Sequence, residues 1–362
     1  MALKLLESLN SNMTHIKIPR NNNFDAIRLL LAVTVFVVHA AGLTGLETFK
    51  VVASYLNSTF AVYSFFVVSG FLIFMSYENT DSNLSFFSKR FFRIFPGYAF
   101  VILFVAISFG LISTYSYNVY FSYDWLKYLF FNLITLNFLE STLPGVFSTN
   151  TVQSVNGALW TIKIEVMFYL SVPIISLFFK RNKISTILII LFLISIGYYE
   201  GLRYLADIKD DSLYLLLAKQ LPGQLSFFVV GASIYYYFSH FSKYAHAYLV
   251  LGVILFILYS KFEIWFILSI AIGLLVIYFA TIFRYCGNFG KFGDLSFGIY
   301  IWHFPIIQVF INFNFFKLSP FFSTVSLILT VLLFSVFSWN FIEKPFLRKK
   351  SHYIYAQKEK NG

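Results

Sequence analysis

The chain has 362 residues, 59% of them apolar and only 12% charged. Soluble domains carry about 25% charged residues, so a water-soluble two-domain enzyme is excluded. Its 27 Lys and Arg exceed 16 Asp and Glu, for a formal net charge of +11. With a mean hydropathy of +0.74, that excess reads as membrane topology rather than nucleic-acid binding, because cytoplasmic loops collect Lys and Arg. The single cysteine, Cys286, excludes an intrachain disulfide, and no Cys and His cluster offers a metal site.

Residues 1–23 are polar and Asn-rich, with no apolar core before a small-residue cleavage site, and read as a cytoplasmic N-terminal tail. Apolar segments near the spanning length of about 20 residues follow at 25–44, 55–76, 93–113, 160–179, 184–200, 221–239, 246–260, 263–283, 295–313 and 321–342, and an eleventh candidate lies at 124–139. Whether the eleventh crosses fixes the orientation of everything after it. If it does not cross, 19 of the 27 Lys and Arg fall inside and seven outside, with Lys163 within a helix. If it does, the split becomes 12 inside to 14 outside. The positive-inside rule selects the first case. The expected fold is therefore an all-α polytopic membrane bundle of about ten transmembrane helices, with 124–139 re-entrant or interfacial and both termini cytoplasmic. It comprises the tail 1–23, one membrane domain over 24–345 and a basic cytoplasmic tail over 346–362. Residues 201–219 are expected to form an external loop, and Gly287, Gly290 and Gly293 a flexible one.

Ionisable residues within spans are costly and so mark candidate sites. In the first span Arg28 and His39 are eleven positions apart, three helical turns plus about 20°, on one face and about 16 Å apart along the axis. Asp25, one turn before Arg28, is in range to pair with it. The alternatives are a snorkelling anchor for Arg28 and a packing histidine for His39. In the segment from Trp160, Glu165 sits about one turn inside, with Tyr169 a turn further on the same face. Ser296, Tyr300 and His303 form one helical stripe, for which inter-helix hydrogen bonding is the alternative. Glu343, before Lys344 and Pro345, closes the last span. Arg90 and Arg93, with Arg28 on the same side, offer cations to a phosphorylated ligand.

In order and spacing, Phe24-Asp25 with Arg28 and His39, Phe65 to Phe71 around Ser69, Lys89 to Pro96, Trp160 to Glu165 with Tyr169, Leu295 to His303, and Glu343-Lys344-Pro345 resemble the acyltransferase-3 family of bacterial integral-membrane O-acyltransferases. The resemblance covers nearly the whole chain. Two positions depart from the usual pattern: Thr161-Ile162 replaces Ser-Leu after the Trp, and Phe297 stands where Tyr is common. The resemblance implies transfer of an acyl group, most often acetyl from acetyl-CoA, onto a hydroxyl of a surface glycan such as O-antigen lipopolysaccharide, exopolysaccharide or another lipid-linked saccharide. It further implies a multi-pass protein of the bacterial inner membrane, with membrane lipids as neighbours and no nucleic-acid partner. No bound cofactor is expected; acyl-CoA is a substrate. Some relatives carry a hydrolase-like domain after the last span, and the 17 residues after Pro345 are too few for one, so the chain is expected to work alone or with a separate partner. His39 and Glu165 are the expected catalytic residues, His39 as general base or nucleophile. Arg28, Arg90 and Arg93 are expected at the donor. Asp25, Ser69, Trp160, Tyr169, Ser296, Tyr300, His303 and Glu343 are expected to line or support the cavity. The competing class is a transporter or flippase for a glycan, which would show paired broken helices about a midplane site.

Overall fold

The computed structural model describes residues 18–179 and 183–347. Most of the expected N-terminal tail and nearly all of the C-terminal one lie outside the described residues. In chain order the helices are α1 (Phe24–Thr44), α2 (Glu47–Ala53), α3 (Ser58–Glu78), α4 (Asn83–Ser108), α5 (Tyr117–Tyr120), α6 (Tyr123–Leu133), α7 (Trp160–Phe179), α8 (Ile184–Lys209), α9 (Leu213–Ala218), α10 (Leu221–Tyr236), α11 (Phe238–Lys243), α12 (Ala245–Phe262), α13 (Trp265–Thr281), α14 (Leu295–Asn312), α15 (Phe315–Leu318) and α16 (Pro320–Phe337). A π-helical turn, Ser338–Glu343, continues α16.

Among the described residues nine helical stretches are long and apolar enough to cross a membrane, and α13, with 17 residues, corresponds to the tenth expected span. In such a bundle each helix satisfies its own backbone groups, as a hydrocarbon environment demands. The ends follow local chemistry: Pro320 opens α16 at a position where its missing N–H costs nothing, and α8 and α12 stop at Asp210 and Glu263 in the left-handed conformation.

Two boundaries differ from the sequence reading. The expected loop at 201–219 is largely helical, because α8 runs on to Lys209 and α9 fills 213–218. Charges at 200, 203 and 207 mark where hydrophobicity ends, yet their helical spacing lets the helix continue. The third span begins at Asn83, ten residues before the expected 93, for the same reason: a basic face does not end a helix.

The chain forms two compact units, one of Met1–Ile27, Val62–Phe86 and Ile164–Gly287, the other of Arg28–Ala61, Phe87–Lys163 and Asn288–Gly362. In the first unit α3, α7 and α10 run parallel: Phe66 packs on Phe168 and Phe74 on Phe179, while Tyr63 stacks on Phe227 and Tyr236 donates to Glu78. Close approach of α3 and α10 requires glycine, since a Cβ on Gly70 would meet the Phe228 carbonyl. Parallel α3 and α7 require an odd number of crossings between them, which accords with the expectation that 124–139 does not cross. Accordingly α6 has 11 residues, about 16 Å, short of a ~30 Å core. It is tied down instead: Tyr98 donates to the Asn132 carbonyl at 2.6 Å, and Tyr120 and Trp125 both donate to the Ala106 carbonyl at 2.7 and 2.8 Å.

In the second unit α1, α4 and α14 run parallel. Arg28 and Arg93 meet Asp294 at one end, while Phe36 lies beside His303 and Phe104 beside Trp302 further along. The antiparallel α16 packs on α14, where Gly298 leaves no room for a Cβ: it would come within 2.8 Å of the Ser335 Cα. Residues 140–159 form no regular helix apart from turns, yet Leu143, Val146, Phe147, Val155, Ala158 and Leu159 are buried.

Candidate active site

One end of the second unit gathers four charges. Asp294 caps α14, accepting from the Phe297 N–H at 3.4 Å and from the Ser296 hydroxyl, and its negative charge suits the positive end of the helix dipole. The same carboxylate holds Arg28 at 2.9 Å and Arg93. Arg93 also approaches Glu343 at 3.8 Å, whose carboxylate accepts from Ser338 at 2.9 Å across the π turn. Asp294 and Glu343 are almost completely buried. Two guanidinium groups against two carboxylates leave the cluster neutral, the condition under which charges survive burial. Arg90 lies one turn before Arg93 on α4 and is half-buried. Arg28 thus pairs with Asp294, 266 positions away, a partner that helical spacing within α1 does not reveal.

The loop before α14 is less free than its glycines imply. Gly293 has φ +87°, and any Cβ there would collide with the Trp339 indole. Only glycine fits, and this turn sets Asp294 at the cap.

Eleven residues along α1, about 16 Å from Arg28, His39 meets His303. Their rings stack with centroids 5.1 Å apart, and His39 Nδ1 lies 2.8 Å from His303 Nε2. His303 is fully buried, and its Nδ1 lies 3.0 Å from the Ile299 carbonyl, one turn back. A carbonyl only accepts, so in the neutral pair His303 carries its proton on Nδ1. Its Nε2 is then an acceptor, His39 must donate from Nδ1, and the lone pair of His39 is left on Nε2. The chain of three groups thereby fixes both tautomers. Phe304 borders His39 edge-on at 5.7 Å. Tyr300, a turn before His303, shares a 2.5 Å hydrogen bond with Thr161.

The irregular segment 140–159 is locked to the helix carrying His303. Pro305 lacks the N–H that would reach the Ile301 carbonyl. Asn156 supplies that donor, with its side-chain amide 2.9 Å from the Ile301 oxygen. Gly157 sits against the Phe304 ring. Further along, the fully buried Gln308 donates to the Val152 and Ser154 carbonyls at 2.5 and 2.8 Å, and Asn150 donates to the Gln308 side-chain and backbone oxygens at 3.0 and 3.1 Å. Non-helical backbone of this length is tolerated in a membrane protein where protein satisfies it.

In the first unit Tyr169 donates to the half-buried Glu165. Asp25, Ser69 and Trp160 are half-buried on α1, α3 and the start of α7. The second unit brings together His39, His303 and Tyr300 at one level, and Arg28, Arg93, Ser296 and Glu343 at another. Asp294, Asn156 and Gln308 were not singled out from sequence, and Thr161 stood out only as a departure from the family's usual residue. An Asp two residues before Ser296 at a helix start signals a cap, and a Pro within a span signals a carbonyl in search of a donor. Neither signal names its distant partner. Among the described residues no group of three or more His, Cys, Asp or Glu is placed to hold a metal ion.

A family model described as an acyltransferase domain, the acyltransferase-3 type, matches residues 21–339. The chain is 26% identical over 341 residues to an O-acetyl transferase of Shigella phage Sf6, covering 92% of this chain and 98% of that protein. It is 30% identical over 184 residues to nodulation protein 10 of Rhizobium leguminosarum bv. viciae, covering 47% of this chain and 48% of that one. It is 26% identical over 365 residues to the O-acetyltransferase OatA of Staphylococcus aureus, covering 87% of this chain and 58% of OatA. No solved structure matches.

Proposed function

The chain belongs to the acyltransferase-3 family, a multi-pass membrane O-acetyltransferase, and from that premise we propose that it moves acetyl from cytoplasmic acetyl-CoA onto a hydroxyl of an extracytoplasmic or lipid-linked saccharide at the bacterial inner membrane. The observation that carries the mechanism is the 2.8 Å contact between His39 Nδ1 and His303 Nε2. It leaves His39 Nε2 as the base. His39 takes the proton of the acceptor hydroxyl as its oxygen attacks the thioester carbonyl; the C–O ester bond forms, the C–S bond breaks, and the proton passes to the departing CoA thiolate. His303 orients the imidazole and stabilises its charge as it gains the proton, by the logic of a base held by a third group.

Arg28, Arg90 and Arg93 bind the donor phosphates. Asp294 and Glu343 hold two of these arginines in place and supply the counter-charge before the donor arrives. The thioester then has about 16 Å to travel along α1 to reach His39, a span suited to the extended arm of CoA. Positive residues at that end agree with a cytoplasmic donor side.

The test is His39→Ala in a strain whose surface glycan acetylation is read by mass spectrometry. General-base catalysis contributes about 10²–10⁴-fold, so acetylation should fall below detection at normal protein level. Full acetylation would refute the role of His39. A transporter or flippase would tolerate the same change, and an acetyl group trapped on His39 would make it the nucleophile.

A further inference from the structure

The residues between the two anchors of the irregular segment have no part in the mechanism above. Ser148, Thr149, Thr151, Val152 and Gln153 are exposed, although their immediate neighbours Asn150 and Val155 are buried. Apart from Val152 the exposed positions carry hydroxyls and an amide, with no charge among them. Their backbone is not free to wander: Gln308 grips Val152 and Ser154, Asn150 grips Gln308, and Gln153 closes the turn on the Ser148 carbonyl at 3.3 Å. Four hydrogen bonds to one fully buried glutamine are far more than an idle surface loop needs, and long irregular segments held this way are typically functional.

The anchors also state where this surface lies. Asn156 and Gly157 attach at Ile301 and Phe304, the level of His39 and His303. Gln308 is five residues beyond His303, about 7 Å further along the axis of α14. The exposed hydroxyl stretch therefore begins roughly one sugar ring past the base, at the helix end that the charge count assigns to the outside. Neutral hydroxyls and amides on rigid backbone both donate to and accept from sugar hydroxyls, while offering no positive charge to a phosphate.

We infer that the segment 148–153 is the acceptor-binding loop, a saccharide subsite whose exposed side chains Ser148, Thr149, Thr151 and Gln153 select the glycan and present its hydroxyl to His39. Asn150, Gln308 and Asn156 are positioning residues that hold the loop on the helix of His303. The inference rests on the acetyl-transfer reading.

The experiment uses membranes containing the full chain, radiolabelled acetyl-CoA as donor and isolated surface polysaccharide of the producing strain as acceptor. The variant carries Ser148→Ala, Thr149→Ala and Thr151→Ala, leaving every anchor intact. The expected result is a KM for polysaccharide raised at least tenfold, with acetyl-CoA hydrolysis in the absence of polysaccharide within twofold of wild type. A KM unchanged within twofold overturns the loop assignment, and so does a parallel loss of hydrolysis, which would make the segment structural. A wild type that transfers no acetyl group overturns the acetyl-transfer reading and the loop with it. A second variant, Thr151→Trp, blocks the surface while leaving every anchor intact, and should lower acceptor turnover while sparing hydrolysis.

Discussion

Removing the acceptor behind His39 tests the histidine relay directly. In His303→Ala the Nδ1–H of His39 loses its partner at 2.8 Å in surroundings formed by Phe36 and Phe304. A buried donor left unsatisfied costs about 1–3 kcal/mol. His39 escapes that cost by rotating or by moving its proton to Nε2, and either response removes the lone pair from the reacting position. Charged to the transition state, 1–3 kcal/mol is a fall of roughly 5–150-fold in rate. His303→Gln restores an oxygen acceptor and should recover part of it, whereas His39→Ala removes the base and should cost roughly 10²–10⁴-fold. The assay is the initial rate of acetyl transfer to isolated polysaccharide in membranes, normalised to protein level. The ordering wild type, His303→Gln, His303→Ala, His39→Ala is the signature. A His303→Ala rate within twofold of wild type would refute the relay, and a greater loss in His303→Ala than in His39→Ala would exchange the two roles.

Asp294→Ala leaves the half-buried Arg28 and Arg93 without their shared carboxylate; loss of one member of a buried ion cluster costs up to about 3–5 kcal/mol, so thermal unfolding in detergent should show a fall in Tm, smaller for Asp294→Asn, which keeps the helix cap. Asn156→Ala should destabilise by about 1–3 kcal/mol because it strands the Ile301 carbonyl; adding Pro305→Ala returns a backbone donor to that carbonyl and should recover stability, and a double variant less stable than Asn156→Ala would refute the pairing. Gln224 is fully buried on α10 with neither amide atom partnered, so Gln224→Leu should raise Tm, a buried amide being more costly than an alkyl group of similar volume; a lowered Tm would show that the amide is engaged.

Hydrophobic length and charge asymmetry were enough to read the class of fold from the chain alone. Both are one-dimensional quantities: a run of about 20 apolar residues has no alternative to a helix in hydrocarbon, and loop charges add up without knowledge of neighbours. The non-crossing of 124–139 was likewise legible, because the two orientations divide the charges so differently. The facing of Arg28 and His39 on one stripe of α1 followed from helical period.

Partners were not legible. His39 and His303 stood out separately, each as a polar residue in a span, but nothing in sequence brings two residues 264 positions apart to 2.8 Å. Asp294 counted only as one negative charge, because the arginines it holds come from α1 and α4, distant in the chain. Asn156 and Gln308 looked like ordinary loop and helix residues, since their meaning lies in carbonyls and loop backbone contributed by distant elements. Sequence by itself determined which residues were too costly to bury without a reason; tertiary structure decided what the reason was, because a buried hydrogen bond or ion pair is defined by two groups and a helical pattern describes only one.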